Sequence, residues 1–161
     1  MKRWQGLTLI ELMVVIALIA LLSGFSIVWV KGIVKKHKIA KDIQLLFSSL
    51  QEARYLAFTR KTTCGVVLGN STSPFSSFEI RCDNDSDGDI ENGFNLIQRI
   101  QLSESYNSSR MVISFSKEGF TTDTCTISPL ELHDLPENSC IVVSNTRIKM
   151  GMWRNSNCEL R

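Results

Sequence analysis

Two groups of carboxylates stand in surroundings that would put them to chemical use. Glu11 heads an apolar stretch in which residues 12–30 carry no charge. A carboxylate near the centre of a membrane helix costs on the order of 2.5–3.5 kcal/mol and normally has a partner or a function. If the chain is cut after Gly6, Leu7 becomes the first residue and Glu11 the fifth. The new α-amino group of a neighbouring copy, a cation in the same apolar layer, would then neutralise Glu11. In low dielectric that pairing is strong and directional. The second group is Asp83-Asn84-Asp85-Ser86-Asp87-Gly88-Asp89-Ile90-Glu91. Alternating carboxylates around a Gly turn supply the hard, closely spaced oxygens that Ca²⁺ takes. The first six positions follow the EF-hand pattern, but the twelfth is Phe94 rather than Glu. Asp83, Asp85, Asp87 and Asp89 are candidate ligands of a non-EF calcium loop. The bland alternative is a solvated acidic turn, in which five carboxylates repel one another. No cofactor is required, and Ca²⁺ is the one candidate.

Other reactive residue types point to structure rather than catalysis. His37 and His133 are far apart and have no nucleophile motif beside them, and the chain has no GxSxG, HExxH or phosphate loop. An enzyme is not expected. The five cysteines, Cys64, Cys82, Cys125, Cys140 and Cys158, all follow the apolar stretch, and none forms a CxxC pair. In an oxidising compartment they would give two disulfides and one spare thiol. The preferred pairs are Cys64–Cys82 across a hairpin, and Cys140 with either Cys125 or Cys158. Near the carboxyl end, Arg147 and Lys149 alternate on one strand face and Trp153-Arg154 follow. Arg147, Lys149 and Arg154 are candidate phosphate contacts to DNA, with an aromatic to stack on a base. An ordinary solvated strand is the simpler reading of so small a patch.

These residues need elements to position them. The 161 residues are 43% apolar and 21% charged, which fits one ordinary globular domain and no low-complexity chain. The charge is unevenly spread. Residues 31–61 hold eight Lys/Arg against Asp42 and Glu52, whereas residues 62–140 hold twelve Asp/Glu against Arg81, Arg99, Arg110 and Lys117. Beyond the apolar run, Ile39, Ile43, Leu46, Leu50, Ala53 and Ala57 recur at steps of four and three, with Lys41, Asp42, Gln44, Gln51 and Glu52 between them. That periodicity, without Pro or Gly over residues 33–63, predicts one helix over residues 7–60, transmembrane over about 7–30. Short β-rich runs follow at 63–68, 77–82, 96–102, 111–116, 124–127, 140–144 and 147–153, separated by turn residues such as Gly69-Asn70 and Asn92-Gly93. The expected fold is α+β: a leader at 1–6, a long helix at 7–60, and a β-rich head at 61–161 whose antiparallel sheet packs on the helix.

Gly6-Leu7-Thr8-Leu9-Ile10-Glu11-Leu12-Met13-Val14-Val15-Ile16-Ala17 resembles the prepilin-type cleavage and methylation motif of type IV pilins and type II secretion pseudopilins. The resemblance implies that a prepilin peptidase cuts between Gly6 and Leu7 and N-methylates Leu7, with Glu11 steering assembly. Residues 48–62 and 83–91, Ile113-Ser114-Phe115-Ser116-Lys117-Glu118-Gly119-Phe120 and Ile141-Val142-Val143-Ser144-Asn145-Thr146-Arg147-Ile148-Lys149 resemble the GspH/FimT group. These are minor subunits of type II pseudopili and of type IV pili. The implied role is a structural subunit near a filament tip for protein secretion, or alternatively a FimT-like minor pilin that captures DNA for uptake. The implied partners are other major and minor pseudopilins or pilins, the prepilin peptidase, an inner-membrane assembly platform and the bilayer. The implied location is the bacterial inner membrane, single-pass, with a periplasmic head, and then the filament. Lys31, Lys35, Lys36, Lys38 and Lys41 after the apolar run oppose that topology by the positive-inside rule. Large domains translocate largely regardless of charge, so the external head is retained.

Overall fold

The apolar and helix-forming residues of the first third build one helix, α1 (Leu9–Arg60). The computed structural model of the chain describes residues 8–69, 73–85, 87–132 and 134–160, with the backbone alone over residues 23–31. α1 ends as Lys61 turns into the left-handed region (φ 57°). The backbone divides into two compact units, Met1–Lys35 and Lys36–Arg161.

In the first unit the side chains of α1 over residues 9–22 are exposed on every side, among them Leu9, Ile10, Leu12, Met13, Ile19, Leu21 and Leu22. A helix that is apolar all round needs lipid or other helices around it. Among the described residues no helix is long and apolar enough to cross a membrane. The expected span, residues 7–30, includes Leu7 and the side chains of residues 23–30, which lie outside the described set.

In the second unit the predicted stripe is the buried face of α1: Ile39, Ile43, Leu46, Leu50, Ala53 and Ala57 are each at most 1% exposed. Burying an Ile or Leu side chain contributes about 1.5–3 kcal/mol, which is what holds this half of the helix to the sheet. Asp42 does not behave as its place among the polar residues predicts. It is buried, because a position three residues after Ile39 falls on the same helix face.

Eight strands follow: β1 (Cys64–Leu68), β2 (Phe75–Asp83), β3 (Phe94–Ser108), β4 (Val112–Phe115), β5 (Cys125–Pro129), β6 (Cys140–Val143), β7 (Ile148–Arg154) and β8 (Asn157–Leu160). They form one sheet in the order β4-β1-β2-β3-β5-β6-β7-β8, and every pairing is antiparallel. The fold is therefore α+β, an amino-terminal helix followed by an antiparallel sheet. Alternate residues of β1 and β2 (Cys64, Val66 and Leu68; Phe78, Ile80 and Cys82) join the helical stripe in one core. β3 is long enough to pair with β2 along most of its length and with β5 over Tyr106, Asn107 and Ser108. β4 pairs at the far side of β1. Its outer N–H at Ser114 donates to the Asp123 carboxylate (3.0 Å), which blunts that edge against pairing with another chain. β8 was not among the expected strands. The two-residue turn at Asn155 and Ser156, both with positive φ, returns the chain alongside β7.

Candidate functional site

The amino-terminal motif begins where the described structure does. Gly6 and Leu7, the expected cleavage pair, lie outside the described residues. Thr8 caps α1: its carbonyl accepts the N–H groups of Glu11 (3.1 Å) and Leu12 (3.2 Å), and its hydroxyl lies 3.4 Å from the Glu11 nitrogen. Glu11 thus sits in the first turn, where the helix dipole favours a negative charge. It is exposed and ringed by exposed Leu9, Ile10, Leu12 and Met13.

The acidic run is an ordered loop after β2, fastened from within. Asp83 is buried, and its carboxylate accepts the N–H groups of Asp85 (3.0 Å) and Gly88 (2.8 Å). Its own N–H donates to the Thr63 carbonyl (2.8 Å), and the Asn84 N–H closes the loop on the Gly93 carbonyl (3.1 Å). Ile90, 1% exposed, pins the loop to β1 by packing over Gly65, where a Cβ would lie 2.6 Å from the Ile90 Cδ1. Carboxylate oxygens of Asp83, Asp85 and Asp87 lie within 4.8 Å of one another, a spacing that one hard cation can bridge. Asp89 is outside that cluster. Its oxygens accept the Glu91 N–H (2.8 Å) and the Asn92 side-chain amide (3.2 Å). The Glu91 N–H, chief among several donors, holds the Asp89 carboxyl below the ordinary range. Asp85 is shifted the other way, by loss of water in the crowded loop and then by the Asp83 carboxyl and the Asp87 charge.

The basic residues near the carboxyl end do not form one patch. Arg147 lies in the turn before β7, where the Ser144 N–H donates to the Arg147 carbonyl (2.8 Å). Lys149 sits opposite Val142, and Arg154 ends the strand opposite Asn157. All three are exposed. Strand alternation places Lys149 and Arg154 on opposite faces, and Arg147 and Arg154 about 23 Å apart along the strand. Trp153 is half-buried, and among the described residues its indole N–H has no acceptor.

Disulfides join Cys64 to Cys82 and Cys140 to Cys158, and Cys125 is a buried thiol. Cys64 and Cys82 face each other directly in the β1–β2 register. The second bridge passes from β6 to β8 over β7 at Gly151, where a Cβ would sit 3.0 Å from the Cys158 Sγ. Burial pushes the Cys125 thiol up to about 11, so it is protonated and unreactive at neutral pH.

Sequence reasoning missed an ion cluster on the sheet face away from α1. Glu79, nearly buried, accepts Arg81 (Nε at 2.8 Å) and Arg99, and Arg81 stacks on Phe94 at 3.9 Å. The alternation of Glu79 and Arg81 with buried Phe78 and Ile80 is the signal that was there to read.

Residues 1–27 match the family model described as prokaryotic N-terminal methylation motif. The chain carries a type IV pilin-like prepilin signal. No curated protein matches the chain, and no solved structure does. The signal indicates a type IV pilin-like protein and implies processing by a prepilin peptidase and pilin-type partners.

Proposed function

We propose that this chain is a non-enzymatic minor pseudopilin of a type II secretion system, of the GspH/FimT group. Residues 7–30 anchor it in the inner membrane and residues 61–161 form a periplasmic head. The observation that carries this reading is the prepilin signal at residues 1–27, with Glu11 four residues beyond the expected new terminus. On assembly the apolar helix halves bundle, and the Glu11 carboxylate of one subunit meets the methylated terminal ammonium of its neighbour. Such head-to-tail contacts do not close on themselves and so extend a filament. The head then stands near the tip, against other minor subunits or cargo. Glu11→Ala tests the register role: it should be processed normally yet be lost from the filament, and normal incorporation contradicts the role.

The second reading is a type IV pilus minor pilin that binds DNA for uptake, favoured by the exposure of Arg147, Lys149 and Arg154. Their separation over two strand faces and the half-buried Trp153 weigh against it. DNA binding by the purified protein at low and moderate salt decides: phosphate contacts would give salt-dependent affinity. No binding at low salt removes this reading.

A further inference from the structure

We propose that the heads of two copies join edge to edge, the open edge of β3 in one taking up β8 of the other as a parallel strand. Arg99 then lies beside the partner's Glu159. Every residue of this contact belongs to the second unit, and nothing in it depends on the amino-terminal signal.

β3 has a long stretch without a second neighbour. β5 pairs with it only over Tyr106, Asn107 and Ser108, and among the described residues no strand pairs with residues 94–102 on the side away from β2. Which groups face that gap follows from β2. The Ser77 carbonyl accepts the Gly69 N–H (2.7 Å) and the Asp83 N–H donates to the Thr63 carbonyl (2.8 Å). By alternation, Ser77, Glu79, Arg81 and Asp83 turn their main chain toward β1, and Phe78 and Ile80 serve β3. Arg99, opposite Glu79, and Gln101, opposite Ser77, therefore hold their N–H and C=O groups out to the open side. Residues 94–102 contain no Pro or Lys, and the bulge opposite Ile80 and Arg81 leaves the row from Arg99 to Gln101 regular. An edge so little protected is a template for another strand.

β8 presents the matching edge. The two-residue turn at Asn155 and Ser156 makes Arg154 and Asn157 the hydrogen-bonded pair that closes the hairpin. Alternation then turns the main chain of Cys158 and Leu160 away from β7. The Cys158 N–H accordingly bonds the Asn157 side chain (2.9 Å). The Cys158 carbonyl and both main-chain groups of Leu160 have no partner among the described residues.

In a parallel ladder, one residue bonds the two that flank its neighbour. Arg99 would donate to the partner's Cys158 carbonyl and accept the partner's Leu160 N–H, with the partner's Glu159 alongside on the same face. Antiparallel pairing would set Cys158 or Leu160 opposite Arg99 and turn Glu159 to the other face. The charges choose the parallel form. Glu79 alone faces Arg81 and Arg99, which leaves one positive charge in excess, and the Arg99 side chain is 70% exposed. Glu159, exposed opposite Met152, has no ion pair among the described residues. On the other face the half-buried Ile100 meets the exposed Leu160. The two edges differ, so the contact is head-to-tail and does not close.

The test uses the full chain in detergent micelles. Arg99→Lys keeps the charge and puts a primary amine at that position, which a carbodiimide joins to a touching carboxylate as an amide. Unlabelled and heavy-isotope chains are mixed, cross-linked and digested. Mixed-isotope peptides joining position 99 to Glu159 are expected. Leu160→Pro, added to Arg99→Lys, removes an outward N–H but no bond to β7, and should lower the yield of that peptide about tenfold. Leu160→Ala, which keeps the N–H, should retain most of it. Amides from position 99 to Glu79 of the same chain, with none to Glu159, overturn the contact. A Glu159 cross-link that Leu160→Pro leaves unchanged also overturns it, because attraction between charges alone needs no strand pairing.

Discussion

The Tyr106 hydroxyl donates to Asp42 at 3.2 Å, joining the buried face of α1 to β3 across 64 residues of sequence. The same Asp42 oxygen accepts the N–H groups of Ser103 (2.8 Å) and Glu104 (3.0 Å). Burial first, and then the Asp42 charge, hold the Tyr106 hydroxyl well above the ordinary tyrosine range, so it remains a donor. A buried carboxylate is tolerated only when its oxygens are satisfied, and here one oxygen collects three donors. Asp42→Ala leaves those donors without their acceptor and should lower unfolding free energy by about 2–4 kcal/mol. Asp42→Asn, which keeps an acceptor oxygen, should cost less. Equal denaturation midpoints for wild type and Asp42→Ala would contradict this account of the helix–sheet junction.

Gly151 makes room for the bridge between Cys140 and Cys158. A side chain there meets the Cys158 sulfur and the Glu159 backbone. Gly151→Val should prevent that bridge while leaving Cys64–Cys82 intact, visible as additional thiol titre in the oxidised protein. Full disulfide content in the variant would show that the strands shift easily.

Acid should weaken the head through Glu79. Burial is the largest single influence and pushes its carboxyl up, but the hydrogen bonds and charges of Arg81 and Arg99 together outweigh it and hold the carboxyl below the ordinary value of 4.5. The folded state therefore binds this proton less readily than the unfolded chain. The stabilisation is fully present above 4.5 and is lost as pH falls through the lower folded value. Denaturation midpoints from about pH 7 to about pH 3 should converge for wild type and Glu79→Gln. A gap that stays constant with pH would place the stabilisation elsewhere.

Asp85 has the opposite sign. Its carboxyl is held above the ordinary range, so its charged form destabilises the loop and protonation relieves it. In buffer with a chelator, Asp85→Asn should raise the melting temperature. A fall would mean that this carboxylate stabilises the metal-free loop.

Much of the fold was legible because periodicity reports burial directly. The step of four and three from Ile39 to Ala57 is the core face of α1, and seven of the eight strands stood out as β-rich runs. β8 escaped because it is four residues long and follows Asn155-Ser156, a turn without the glycine that usually marks such hairpins. Asp42 escaped because residue type was weighed over helical position. In the acidic loop, composition singled out four aspartates, but composition does not say where oxygens turn. Asp83, Asp85 and Asp87 converge, while the Asp89 oxygens accept the Glu91 N–H and the Asn92 side-chain amide. Arg147, Lys149 and Arg154 looked like one patch in sequence, and pleating separates them.

The central claim is that the chain is processed as a prepilin so that Glu11 stands four residues from a new terminus. Intact-mass spectrometry of the protein from cells with an active prepilin peptidase tests it directly. The account predicts a mature chain that begins at N-methylated Leu7, and a Gly6→Ala variant that accumulates uncut. A mature product that still begins at Met1 would contradict it.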